Sequence, residues 1–125
     1  MRIRISWSSA QVEAQLRDTP TVRKLAEALP CVSRANTWGD EVYFTVPVQT
    51  ELEPDARQVV DPDTVCLWVE GNSLALPFGP TPASVGDECR LVSDVNILGE
   101  IDGDPQVLAS VNAGEEVRVE RAADG

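Results

Sequence analysis

Glu41 and Tyr43, two residues apart in "NTWGDEVYFTVPV", come nearest to a chemical site in this 125-residue chain. Period-two alternation puts Val42, Phe44 and Val46 on one face of a strand and Glu41, Tyr43 and Thr45 on the other. The first set reads as core. The second offers a carboxyl that becomes a general base only if partial burial raises its pKa, with a tyrosine on the same face as hydrogen-bond partner. Asp40 cannot share that proton, because neighbours on a strand point to opposite faces; it reads as a turn residue. In "VCLWVE" the same phase sets Trp68 and Glu70 opposite Val65, Leu67 and Val69. With the proline-rich "FGPTPAS" loop, which Phe78 opens, these residues compose an amphipathic groove. Tyr43 and Trp68 are its walls, and Glu41 and Thr81 its polar anchors. Trp38 is either a plug beside the Gly39 turn or part of the rim. The competing reading is that Trp68 packs under a helix or loop, as buried tryptophans commonly do.

Other chemistries lack their residues. There is no histidine to activate Thr81 or Ser84, and the sole lysine, Lys24, falls on a predicted helix. Hydroxyls in such loops usually cap their own backbone. Cys31, Cys66 and Cys89 are odd in number and widely spaced, the pattern of reduced thiols in a cytoplasmic protein. Without histidine or a Cys-x-x-Cys pair no zinc site is expected, and "DGD" (Asp102–Asp104) lacks the spacing of a calcium loop. No metal and no cofactor are therefore anticipated. Ten basic against 21 acidic residues give a net charge of −11. That surface repels nucleic-acid phosphate and anionic lipid, so neither partner is expected. No apolar run approaches the length of a membrane span, and the start "MRIRISWSSA" has no signal-peptide core.

The elements that must position the groove follow from periodicity. Ile3, Ile5 and Trp7, then Val12, Ala14 and Leu16, predict an opening hairpin. In "DTPTVRKLAEALP", Val22, Leu25, Ala26 and Leu29 fall on one helical stripe, with Thr19 as N-cap, Pro20 first and Pro30 as stop. A strand near Cys31–Asn36 leads through the Gly39 turn to the Glu41 strand. "QTELEPDARQVVDPDT" reads as an acidic loop, and "VCLWVE" and "SLALPF" as a hairpin turning at "GN". "RLVSDVNILGEI" gives one or two strands. "DGDPQVLASVNAG" repeats the helix pattern, with Asp104 as cap and Gly114 as stop. Val117 and Val119 mark a last strand, and the tail "AADG" (122–125) is expected to fray. About eight strands and two short helices, with no βαβ alternation, predict a mainly β domain over residues 1–121. A closed eight-stranded barrel would hide its edges, with the helices over its ends.

"TWGDEVYF", "LWVEGNSLALPFGPTPAS" and "DVNILGEIDGD" resemble, in order and spacing, the small prokaryotic cyclophilin-like family of unknown function. The likeness runs from Met1 to about Arg121. It implies the closed cyclophilin barrel capped by two helices. "DPDT" replaces a Gly-Asp turn usual in the family. Cyclophilins are prolyl isomerases, yet their Phe-His-Arg, Gln-Gly-Gly-Asp and Phe-x-Met-Ala signatures are missing here. Lowering a barrier of ~18–20 kcal/mol without the arginine that donates to the prolyl nitrogen forfeits a large electrostatic contribution. Arg34, Arg57 and Arg90 stand in other contexts. The reading is a non-enzymatic module that takes a small molecule or extended peptide on the outer wall. The alternatives are a weak isomerase, a Glu41-based acid/base enzyme, and a subunit of a larger complex; homo-oligomerisation stays open.

Overall fold

The computed structural model describes residues 1–123. The chain runs β1 (Arg2–Ser6), β2 (Gln11–Leu16), α1 (Pro20–Ala28), β3 (Cys31–Arg34), β4 (Asn36–Thr37) and β5 (Glu41–Thr45). It continues through β6 (Arg57–Val60), β7 (Thr64–Trp68), β8 (Ser73–Pro77), β9 (Cys89–Ile101), a 3-10 helix (Pro105–Ser110) and β10 (Glu116–Ala122). The alternating apolar positions become facing pairs. Ile3 lies opposite Ala14 and Ile5 opposite Val12, and all four are buried in the main core.

The strands join in the order β3-β10-β1-β2-β9-β7-β8-β5-β4, with β6 attached to β9 off that path. The expected closed eight-stranded barrel is corrected in two respects: the described residues form ten strands, and hydrogen bonds among them do not close the ring. The two terminal strands, β3 and β4, are instead consecutive in sequence and joined by Ala35 alone. Ala35 is buried and is held by Gly114 N–H and Glu115 O, each at 2.8 Å. β4 supplies only two pairs, Asn36–Tyr43 and Thr37–Val42, too short to leave a periodic signal. β6 lies inside the stretch read as an acidic loop. Its Val60 is buried against β7 and β9 residues, which makes a strand of four residues flanked by prolines and carboxylates.

The main core lies within the curved sheet. Phe44 is fully buried there with Val42, Val65, Leu67, Leu74 and Leu76. Helix α1 starts as the sequence predicts: the Thr19 side chain accepts from Val22 N–H at 3.1 Å, and Pro20 occupies the first turn. Val22 and Leu25 enter the core, while Leu29 is only partly buried. The second helix is a 3-10 segment of six residues, capped by Asp104 through Gln106 N–H at 2.9 Å. Leu108 and Val111 reach the core from it. β10 extends through Ala122, opposite Arg2; of the tail expected to fray, Asp124 and Gly125 lie outside the described residues.

A second, smaller core covers the outer face of the sheet. β9 is thirteen residues long and serves two partners. Its second half pairs with β2 and β7, and its first half turns away to pair with β6. Val60, Cys66, Ala75, Cys89, Leu91, Val95 and Ile97 are buried between these layers. Fully buried Asn96 stands where β9 changes partners. Its Nδ2 donates to Thr21 Oγ1 (3.0 Å) and Glu51 O (2.9 Å), and its Oδ1 accepts from Glu53 N–H (2.8 Å). Glu53 in turn accepts from Thr21 N–H and Oγ1. This knot fixes the acidic loop to helix and sheet.

Candidate functional site

The outward phase of β5 carries its side chains to the margin of this second core. Trp38 N–H donates to Glu41 O at 3.0 Å, closing a two-residue turn in which Gly39 adopts φ +59°. Such a turn places Trp38 and Glu41 opposite each other on one face. A Cβ at residue 39 would come within 2.9 Å of Thr81 Cα and Pro82 Cδ, so the turn also lies close against the proline-rich loop. Asp40 N–H and O bond Pro80 O (2.9 Å) and Phe78 N–H (2.8 Å), which ties the two segments together.

Tyr43 and Trp68 meet over the strand between them. Tyr43 pairs with Ala75, and Trp68 with Ser73. These small β8 side chains leave room for the two rings to approach at 6.0 Å and 89°, an edge-to-face contact. On its other side the indole lies on Gly71, where a Cβ would be 2.2 Å from Cε3. Trp68 is thus neither free nor deeply buried. It is a half-buried wall, held on two sides.

Trp38, Glu41, Tyr43 and Trp68 line one cleft of about 190 Å³, with Leu91 and Val92 completing it. The last two come from β9, where residues 91–94 bulge out of the ladder: Arg57 pairs with Val95, yet Val59 pairs with Arg90. The bulge is tethered by Gln58 Nε2 to Leu91 O (2.9 Å) and by Ser93 Oγ to Glu70 (3.3 Å). Bulges commonly re-aim side chains beside functional sites. The sequence carried no sign of this one beyond the uncertainty between one strand and two.

The chemistry of the cleft centres on Glu41. Only 6% of the residue is exposed, and burial lifts its carboxyl to about 7. Among the described residues, its Oε1 and the Trp68 Nε1–H are buried without hydrogen-bond partners. Buried polar atoms rarely stay unpaired in native proteins. No lysine or arginine lines the cleft. Arg90 is engaged by Glu88 at 2.6 Å. Cys66 and Cys89 are buried thiols pushed up chiefly by desolvation, which disfavours the nucleophilic thiolate.

Phe78 and Thr81 stand elsewhere. Phe78 points into the main core. The Thr81 hydroxyl donates to Arg90 O and accepts from Ala83 N–H, and Thr81 N–H donates to Ser84 Oγ at 2.9 Å. The loop hydroxyls cap their own backbone and leave nothing to offer a ligand. Trp38, by contrast, stands on the rim. No group of histidine, cysteine or carboxylate side chains among the described residues is arranged to hold a metal ion.

The family model described as cyclophilin-like matches residues 1–120, nearly the whole fold just described. The chain belongs to the cyclophilin-like family. The chain is also similar to the one in the solution structure of a hypothetical protein from Archaeoglobus fulgidus. It is 42% identical, with a TM-score of 0.83, over 98% of this chain and 95% of that one. No curated protein matches. No helix among the described residues is long and apolar enough to cross a membrane.

Proposed function

We propose that this cyclophilin-like protein is a binding module whose ligand enters the cleft between the β5–β8–β7 wall and the β9 bulge. The observation that carries the reading is the pairing of two unsatisfied buried polar atoms, on Glu41 and Trp68, with an aromatic-lined concavity. Apolar walls with a few convergent polar groups are the usual make-up of a small-ligand site. An indole 15N–1H spectrum recorded against a fragment library tests it. Ligands should move the Trp38 and Trp68 resonances and spare Trp7, whose Nε1 donates to Ser110 Oγ at 2.9 Å away from the cleft. A library that moves none of them, or all three alike, removes the reading.

A second reading is supported by the position of the Glu41 carboxyl near neutrality, where a general acid/base works best. It differs in one respect: turnover would vanish in Glu41→Gln, while binding of an uncharged ligand would survive. Prolyl isomerisation draws no support from the cleft, whose lining has no guanidinium to offer the prolyl nitrogen.

A further inference from the structure

The ligand's charge can be argued from the same lining, on the footing of the binding module above. The cleft presents three aromatic side chains, one carboxyl, two aliphatic side chains and no basic group. The whole chain carries −11. A ring face attracts a cation most strongly when water is excluded, and a carboxylate lacking partners is completed by an N–H donor. An anionic ligand would meet nothing of opposite sign. We infer that the cleft takes a protonated amine with an apolar body, its ammonium donating to Glu41 and its methylenes lying among Trp38, Tyr43 and Trp68.

The surroundings of the carboxyl do not supply that cation from within. Asp40 precedes it on the turn and Tyr43 follows on β5. The thiols of Cys66 on β7 and Cys89 on β9 both feel its charge. Arg57 on β6 acts on Cys66 from across the second core, but the Glu41 carboxyl is governed by desolvation alone. An incoming ammonium is therefore the group that would make the ionised form favourable, and binding would release a proton.

n-Butylammonium and its neutral counterpart n-butanol are the probes, titrated into the intact protein and read from the Trp38 and Trp68 indole resonances. With a carboxyl near 7 that must be ionised to bind, the butylammonium Kd should tighten about 30-fold from pH 5.5 to 8.5. The n-butanol Kd should be weaker at pH 8.5 and gain nothing with pH. Glu41→Gln should abolish the pH dependence; it changes the net charge by only one, so attraction to the acidic surface at large would persist and be recognised as such. n-Butanol binding as tightly as n-butylammonium, with affinity flat or falling as pH rises, overturns the amine assignment and leaves the binding module standing. If neither probe moves Trp38 or Trp68 at any pH, the amine assignment falls, and the fragment library decides the broader reading separately.

Discussion

Replacing Glu41 with glutamine should stabilise the protein at neutral and alkaline pH and leave it nearly unchanged in acid. Burial raises the Glu41 carboxyl from 4.5 to about 7. The folded chain therefore keeps a proton that the unfolded chain releases between those values. What the protonated side chain contributes is fully present below about pH 4.5 and is lost as pH rises through about 7. At about 1.4 kcal/mol for each tenfold change in acidity constant, the ionised carboxylate costs the folded state about 3 kcal/mol above neutrality. Glutamine keeps the shape and cannot ionise. Urea unfolding of both proteins from pH 4 to 8.5 reads the difference directly. Comparing the two also cancels the other 20 of the 21 acidic residues, which would otherwise dominate the curve. The two should coincide near pH 4, then diverge through pH 5–7 to a plateau of about 3 kcal/mol in favour of glutamine. A difference that stays flat across the range would mean that the carboxyl is not desolvated, and the chemistry argued for the cleft would go with it.

Gly71→Ala should push the Trp68 indole off its seat, since the new Cβ would be 2.2 Å from the ring. A loss of about 1–3 kcal/mol and a shifted Trp68 indole resonance are expected, with Trp7 unmoved. Asn96→Ala strips three hydrogen bonds from a fully buried site. It should cost about 3 kcal/mol and open residues 49–55 to proteolysis, as limited Glu-C digestion after Glu51 would show. Phe44→Ala should cost about 3–5 kcal/mol in chemical denaturation, whereas Tyr43→Ala, on the opposite face, should cost much less and act on ligand binding. Thr81→Val should lower stability by about 1–3 kcal/mol by leaving Arg90 O and Ala83 N–H without their hydroxyl, with no direct effect on affinity for the cleft.

Strand phase was legible because a period of two leaves no intermediate choice. With Phe44 inside, Glu41 and Tyr43 had to face out, and the same rule separated Leu67 from Trp68. The helix starts were legible from Thr19–Pro20 and Asp104–Pro105, where capping chemistry is local. What escaped depends on distant partners. Nothing near residue 60 announces that Val60 will meet Cys89 and Leu91, so β6 read as loop. The β9 bulge that brings Leu91 and Val92 over the cleft arises from pairing with β6 and could not be seen before β6 was. The role of Thr81 is hard to read from sequence for a related reason. Its residue type suits both a ligand anchor and a backbone cap, and only the position of Arg90 O decides between them. Phe78 continues the alternation of Leu74 and Leu76 past Pro77 and joins them in the main core, so counting by twos along β8 already points it away from the cleft.

The seam at Ala35 has a mechanical meaning for the rim of the cleft. β5 leans on a full ladder from β8 on one side and on only two β4 residues on the other. Peeling β4 away would break few hydrogen bonds, and Ala35 would still hold the two ends of the wall together as a hinge. The Trp38 turn does not depend on β4 for its place, because Asp40 pins it to the proline-rich loop through Pro80 O and Phe78 N–H, so the rim of the cleft would outlast the loss of its edge strand.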